Sequence, residues 1–389
     1  MNKRNAEKIT IDKTISIPFH VQLLSQLRQL ILSGQLDPGS RLPSEAELQS
    51  QLEISRSTIR QALSNAKAEG LIERVTGKGS FVTSSPNAKT KLDLIGYIAF
   101  GFRSDMQIKL LSGAESVTKS RGYGILFCHS NRDIKEENRL LDQLVKDKVR
   151  GILIWPAMEE DKSRRIFQLA AKGLIPLVLV DRTLKGLEYD YVISENYAGA
   201  YKATEFLVKL GHKRISFLSQ PILRLITVAE RLRGYRQALN DAGLKPLDPV
   251  LVGTPNLELM AEDIIPTLNE SSSKEIEQIA QYLAKPDRPT AIFAMNDLVA
   301  MQVLKAANLA GLRVPDNLSI VGFDDMDIVA HLEVPLTTVS QDASYMGRRA
   351  AELLFERVEG YNGPARREVI PTHLQIRAST TSPLSPQSV

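Results

Sequence analysis

Arg56, Ser57, Thr58, Arg60 and Gln61 crowd one short stretch of this 389-residue chain. They supply donors and short hydroxyls, the groups that reach phosphate oxygens and base edges. Ser55 in front of them is a good helix N-cap, and Ile59, Ala62, Leu63 and Ala66 recur at helical spacing behind them. The polar set therefore occupies the opposite face of a helix's first turns, where the backbone dipole adds positive potential. A merely solvated helix face would read the same way. The next segment tips the balance: Gly77-Lys78-Gly79 stands between Val75-Thr76 and Phe81-Val82, which reads as a tight hairpin with a lysine at its tip. Gly-Lys-Gly-Ser is not a phosphate loop, because Ile72 stands where that motif needs its first glycine.

Other reactive residue types do not combine into a catalytic centre. His20, His129, His212, His331 and His373 are dispersed, and none is spaced for a metal with a neighbour. Asp324-Asp325 are adjacent at a strand end and point in different directions. No nucleophile elbow is present, and no G-x-G-x-x-G follows the first strand of the body. Cys128 closes an apolar run and reads as a core thiol. A single cysteine rules out a disulfide framework within the monomer and fits a reducing cytoplasm. The expectation is no catalysis, no metal and no cofactor.

The elements that must position the polar helix are legible around it. Ser44 and Glu47 form a capping box, Leu48 and Leu52 share a face, Ile54 closes a short turn, and Gly70 ends the second helix. A helix from Pro18-Phe19 and a Pro38-Gly39 turn precede them. Residues 1–82 thus form a winged helix-turn-helix that lays one helix in a DNA major groove. Residues 83–91, TSSPNAKTK, read as a linker, 92–379 as a body, and 380–389 as a disordered Ser/Pro-rich tail. Charge follows the same division. Residues 1–91 hold 13 Lys+Arg against 8 Asp+Glu, while the whole chain holds 49 against 45, so the net positive charge sits in the head.

The body alternates apolar runs with helical stretches. Strands are expected at 94–100, 123–128, 151–155, 175–180, 213–218, 249–252, 290–294 and 318–322. Helices fall near 106–121, 135–148, 161–172, 199–210, 228–242, 273–284 and 297–310. The fold class is α/β: two lobes of doubly wound parallel sheet facing each other across a cleft. The first lobe is expected at 92–195 and 340–365, the second at 198–337 and 366–379. No secretory signal and no run long enough to span a membrane is seen.

Two family resemblances sharpen this reading. Pro18-Phe19, Gly39-Ser40-Arg41-Leu42-Pro43-Ser44-Glu45, Ser55 to Ala62, and Gly70-Leu71-Ile72 with Gly77 to Val82 resemble the GntR family of bacterial repressors. The resemblance implies that Phe19, Arg41, Ser55, Arg56, Ser57, Thr58, Arg60, Lys78 and Gly79 face DNA. Ala46 departs from the arginine that some members carry there, which bears on base preference. The body is similar to the LacI/GalR regulators and their periplasmic sugar-binding relatives. Ile95 to Ile98, Pro176 to Arg182, Leu210 to Ile215, Arg231 to Tyr235, Ala294 to Asp297, Val314 to Asp325, and Pro335 to Val339 with Gln341 carry that likeness. The combination looks most like the arabinose repressors of Gram-positive bacteria, without fixing arabinose as ligand. It implies Arg231, Asn296 and Asp324 in an effector cleft. Asp181 and Arg182 end a strand of the first lobe, and Phe102, Arg103, Ser104 and Asp105 follow its first strand, so these are expected on the opposite wall. Gly253-Thr254-Pro255-Asn256 offers no aromatic where the family often has one, which leaves Phe102 or Trp155 to stack on a ring, and Trp155 reads equally well as core.

The expected function is a cytoplasmic, homodimeric repressor on a palindromic operator. Its effector is expected to be a small sugar or sugar phosphate, with a nucleobase-type effector as one alternative. A solute-binding protein with a vestigial head is the other.

Overall fold

The computed structural model describes residues 9–14, 17–75, 78–83, 93–101, 105–157, 165–166, 168–169, 173, 175–184, 186, 188–253 and 270–384. The chain divides into two compact units, one of residues 1–93 with 120–124 and the other of residues 94–119 with 125–389.

In the head, α1 (Phe19–Leu32) is followed by α2 (Glu45–Leu52) and α3 (Arg56–Ala68). The capping box forms at α2: Ser44 accepts from the Glu47 N–H, and the Glu47 carboxylate accepts from the Ser44 N–H. Glu53 ends α2 at φ +52°, and the Ser55 hydroxyl accepts from the Thr58 N–H to start α3. Leu48, Leu52, Ile54, Ile59 and Leu63 pack with Leu23 and Leu27 in one apolar core. Gly70, at φ +71°, turns the chain out of α3. β1 (Ile72–Val75) and β2 (Gly79–Val82) pair antiparallel as the wing, longer than the two short runs expected. Residues 40–42 add to it, since Leu42 N–H donates to Ser80 and Val82 N–H to Ser40.

The body holds two six-stranded sheets. The first comprises β3 (Leu94–Ala99), β4 (Gly124–His129), β5 (Gly151–Ile154), β6 (Leu177–Val180), β7 (Asp190–Ser194) and, much later, β13 (Arg367–Ile370). The second comprises β8 (Ile215–Ser219), β9 (Val250–Leu251), β10 (Ala291–Ala294), β11 (Ser319–Asp324), β12 (Thr337–Gln341) and β14 (Thr372–Gln375). Their orders are β13-β7-β6-β5-β3-β4 and β14-β12-β11-β10-β8-β9. β14 pairs antiparallel with β12 at the edge of an otherwise parallel array. Each order reverses beside its first strand, which puts a ligand crevice at the strands' carboxyl ends.

The helices are α4 (Asp105–Ser120), α5 (Ile134–Lys146), α6 (Asn196–Lys209), α7 (Ile226–Asp241), α8 (Glu270–Leu283), α9 (Asp297–Leu309) and α10 (Ala343–Val358). Most of the helix expected near 161–172, and all of the 83–91 linker but Thr83, lie outside the described residues.

Two boundaries differ from expectation. β13 pairs with β7, so the first lobe reaches Ile370 instead of stopping at 365, and the chain re-enters the second lobe at β14. β12 completes the second sheet, so that lobe runs to Gln341 rather than 337. The tail does not begin at Thr380 either. Thr380 and Thr337 share a hydroxyl hydrogen bond of 3.0 Å, and the Thr381 carbonyl accepts from Ser319 Oγ at 3.0 Å. The His212 ring reaches the same carbonyl at 2.9 Å, as well as Thr290 and Ser319, which gives it the structural corner role expected. Cys128 is half-buried against the first lobe's core, and burial raises its thiol pKa, as suits an inert thiol. Among the described residues no helix is long and apolar enough to cross a membrane.

Helix pairs clamp each lobe at glycines. A Cβ on Gly113 of α4 would lie 2.0 Å from the Ser344 carbonyl oxygen, and one on Gly347 of α10 would lie 2.0 Å from that of Leu110. Gly234 of α7 meets Tyr197 of α6 in the same way at 2.3 Å. Alanine in a helix gains about 1 kcal/mol over glycine in propensity. Here the neighbour is backbone and cannot swing aside, so overpacking wins. Gly113→Ala should lose about 1–3 kcal/mol of stability, read as a lower urea midpoint with an unchanged slope.

Candidate functional site

The head gathers its expected contact residues around one carboxylate. Glu45, at the first position of α2, accepts from Arg56 Nε at 3.3 Å and Arg60 Nη2 at 3.4 Å, and it also pairs with Arg74 of the wing. Burial works to raise the Glu45 pKa, but hydrogen bonds from Arg74 and Arg56 outweigh it and hold it below its ordinary value. Arg74, which sequence reasoning missed, joins the set only because the wing folds back beside α2. Arg56, Ser57 and Arg60 are exposed along α3, while the Ser55 hydroxyl lies 2.8 Å from Ser57 Oγ and 2.7 Å from Thr58 Oγ1. Arg41 forms a bridge to Phe81, and Gly79, at φ +114°, lets it lie close: a Cβ there would come 3.2 Å from Arg41 Nε. Lys78 is exposed at the hairpin turn. Phe19 differs from its partners in being half-buried against the head's apolar core.

In the body, a cavity of about 670 Å³ opens at the carboxyl ends of both sheets. Asp105, Asp181, Arg182, Arg231, Asn296 and Asp324 all line it. Phe102, Arg103 and Ser104 lie outside the described residues, as does most of the 253–256 turn.

The second-lobe wall is built on Arg231, a buried side chain of α7. Its Nε donates to Asn196 Oδ1 at 2.8 Å, its Nη1 donates to the Met295 carbonyl at 2.6 Å and stands 3.4 Å from Asp324 Oδ1. The guanidinium also lies 3.6 Å from the centre of the Phe323 ring. Asp324 sits at φ +115° and accepts from Gln341 Nε2 at 2.7 Å. Burial raises its carboxyl to about 6, against the pull of Arg231. Behind it, fully buried Asp297 accepts from Thr338 and from the Met326 N–H, and burial with the nearby Asp324 charge raises it well above the ordinary range. Asn296 lines the cavity and caps α9 through Oδ1, which accepts from the Val299 N–H.

The first-lobe wall is aromatic and basic. Phe100 and Trp155 meet edge to face at 4.7 Å between centroids. Arg182 lies 4.5 Å from the Phe100 centroid and donates to the Pro156 carbonyl at 2.9 Å. Asp181, at φ +64°, stands 3.8 Å from Arg182, and burial raises its carboxyl. Arg132 lies over Phe100 at 5.2 Å; burial, with Arg182 beside it, brings its guanidinium down to about 10. Behind this wall buried Glu137 accepts from the Ala157 N–H at 2.6 Å, and burial raises it to about 7. Phe100, Arg132 and Gln220 were missed from sequence, being single residues after strand ends that only the topology brings together. Trp155, left open between core and ring stacking, is buried yet lines the cavity.

Such walls suit a small polyhydroxylated ligand. Carboxylates and guanidinium forks pair with adjacent hydroxyls, and aromatic faces cover the ring's apolar side. Among the described residues no group of His, Cys, Asp and Glu is arranged to hold a metal ion.

Comparison with known proteins agrees with both halves. Residues 20–82 match the bacterial regulatory proteins of the gntR family, and residues 204–380 match the periplasmic binding protein-like domain. The arabinose metabolism transcriptional repressor of Geobacillus stearothermophilus is 30% identical over 354 residues, covering 89% of this chain and 93% of that protein. The HTH-type transcriptional repressor PurR of Mannheimia succiniciproducens is 29% identical over 282 residues, covering 72% of this chain and 79% of its own. A solved structure of a putative ribose operon repressor from Burkholderia thailandensis superposes with a TM-score of 0.61 at 27% identity, over 73% of this chain and 98% of that one.

Two outcomes follow from this geometry. Arg56→Ala with Arg60→Ala should cost roughly 1–3 kcal/mol per base-reading contact in operator affinity, whereas Lys78→Ala should weaken all DNA sequences alike and flatten the salt dependence; titrations at several salt concentrations separate the two. The second concerns acidity. A half-buried carboxyl raised to about 6 stabilises the fold when protonated, and that contribution is lost as pH rises through 6. The stability margin of wild type over Asp324→Asn should therefore grow by about 1 kcal/mol from pH 7 to pH 5, measured by urea unfolding at both values.

Proposed function

The chain belongs to the bacterial transcriptional repressors that join a GntR-type head to a periplasmic binding protein-like body, and from that membership we propose that it represses carbohydrate-utilisation genes under the control of a small sugar or sugar phosphate. The observation that carries this reading is the cleft itself, where Asp324 and Arg231 face Asp181 and Arg182 across a cavity floored by Phe100 and Trp155. The relatives named for arabinose metabolism and the ribose operon point to the same class of ligand. A body of this kind responds to its ligand only through differential affinity for two states of the cleft. Effector binding then changes how two heads engage a palindromic operator, because one winged helix reads one half-site and the repressor works as a homodimer. Its place of action is the cytoplasm, with the DNA.

The contact residues proposed in the head are Arg41, Ser55, Arg56, Ser57, Thr58, Arg60, Lys78 and Gly79. Those proposed for the effector are Asp105, Asp181, Arg182, Arg231, Asn296 and Asp324. A nucleobase-type effector is the second reading, favoured by the Phe100–Trp155 pair, which would also accept a flat ring. A thermal-shift screen of pentoses, hexoses, their phosphates and purines separates the two, since a ligand at 100 times its Kd stabilises by about 2.7 kcal/mol.

Arg231→Ala tests the cleft directly. The variant should bind operator like wild type in the absence of effector and lose the effector response. Operator affinity with and without saturating ligand decides: a full wild-type response would remove Arg231 from the site, and loss of ligand-free operator binding would mean that the fold was damaged.

A further inference from the structure

Arg132 is a side chain of the cleft that a neutral ligand leaves unexplained. It follows β4 at φ +63°, directly after Asn131 at φ +49°. Two successive non-glycine residues in the left-handed region carry a conformational cost, and such cost gathers where a side chain must be aimed. The Arg132 guanidinium is aimed at the Phe100 ring from 5.2 Å, and Arg182 lies 4.5 Å from the same ring. Two like charges therefore gather at one aromatic ring.

The other charges of the cleft interior are answered. Arg231 has Asp324 at 3.4 Å, Lys109 has Asp105 at 2.8 Å, and Arg182 has Asp181 at 3.8 Å. Arg224 also lines the cavity but is exposed, so water serves it. Arg132 is half-buried and has no carboxylate partner among the described residues; the charge that acts on it is that of Arg182, of its own sign. The first-lobe wall is thus left with one positive charge that hydroxyl groups cannot neutralise.

Guanidinium groups bind phosphoryl and carboxylate oxygens in pairs, and the gain is largest where water is excluded. We propose that the effector is an anionic carbohydrate, whose phosphoryl or carboxylate group sits between Arg132 and Arg182 over Phe100 while its hydroxyls face Asp324 and Arg231. This rests on the carbohydrate reading above and narrows it. It also gives Arg132 a role as the residue that separates charged from neutral sugars.

Calorimetry on the full chain with matched sets tests it: arabinose, arabinose 5-phosphate and arabinonate; ribose, ribose 5-phosphate and ribonate; glucose, glucose 6-phosphate and gluconate. In one set a charged member should bind about tenfold or more tighter than its neutral parent. The phosphate and acid arms tell which anion is meant. Arg132→Gln should erase that margin and Arg132→Lys should keep part of it. Inorganic phosphate should compete with the charged sugar on wild type. A neutral sugar that binds wild type as tightly as its charged derivatives overturns the proposal, as does a margin that survives in Arg132→Gln. If that variant does not fold, the wild-type sets and Arg132→Lys still decide. Operator release by neutral sugars alone would sink this inference and leave the carbohydrate reading standing; no binding by any carbohydrate would sink both.

Discussion

The Arg231 guanidinium ties the cleft together. A cation taken out of water persists only where its N–H groups and its charge are answered nearby. Arg231 finds Asn196 at the start of α6, the Met295 carbonyl after β10, and Asp324 at the end of β11, with the Phe323 ring beneath it. One side chain thereby registers two strand ends and a helix start of the body against one another. The dependence is mutual. Without the arginine, Asp324 would lie beside buried Asp297 with no cation, an arrangement that costs about 3–5 kcal/mol in comparable buried pairs. The left-handed backbone at Asp324 is held by the same contacts.

The head uses charge in the opposite way. Its arginines are exposed, and the Glu45 carboxylate gathers them by contacts each worth about 0–1 kcal/mol. That is weak enough to be exchanged for phosphates and enough to keep the guanidinium groups near where phosphates arrive. The buried ion pair of the body fixes a geometry, while the surface cluster of the head keeps one ready to be given up.

Legibility in the sequence followed the physics of each element. The buried strands such as Ile95 to Ala99 and Ile152 to Ile154 are continuous apolar runs, and they stood out. The capping box at Ser44 and the stop at Gly70 have fixed local chemistry, so the helix-turn-helix was readable to the residue. The edge strand Arg367–Ile370 and its neighbour Thr372–Gln375 are four residues each, mostly polar and without a clean alternation, and nothing local announces which sheet each joins. That ambiguity misplaced the lobe boundaries. In the site, Arg231, Asn296 and Asp324 came through family resemblance, and Asp181 through its place at a strand end. Phe100, Arg132 and Gln220 are isolated residues after strands, and only the strand order makes them neighbours. The left-handed pair Asn131-Arg132 carries no glycine to betray it.

Neither lobe is contiguous in the chain. The first sheet lacks its edge until Arg367–Ile370 is made, and the second lacks two strands until Thr337–Gln341 and Thr372–Gln375 arrive. A ribosome working from the N-terminus therefore releases the head, with its own core, some 300 residues before either sheet of the body can close. During each round of synthesis there is an interval in which a reader of operator DNA exists without the apparatus that listens to metabolism. A message cut short in that interval yields fragments with a finished head and no completed sensor. In such a gene, the position of a stop codon decides whether a head is made without the body that controls it.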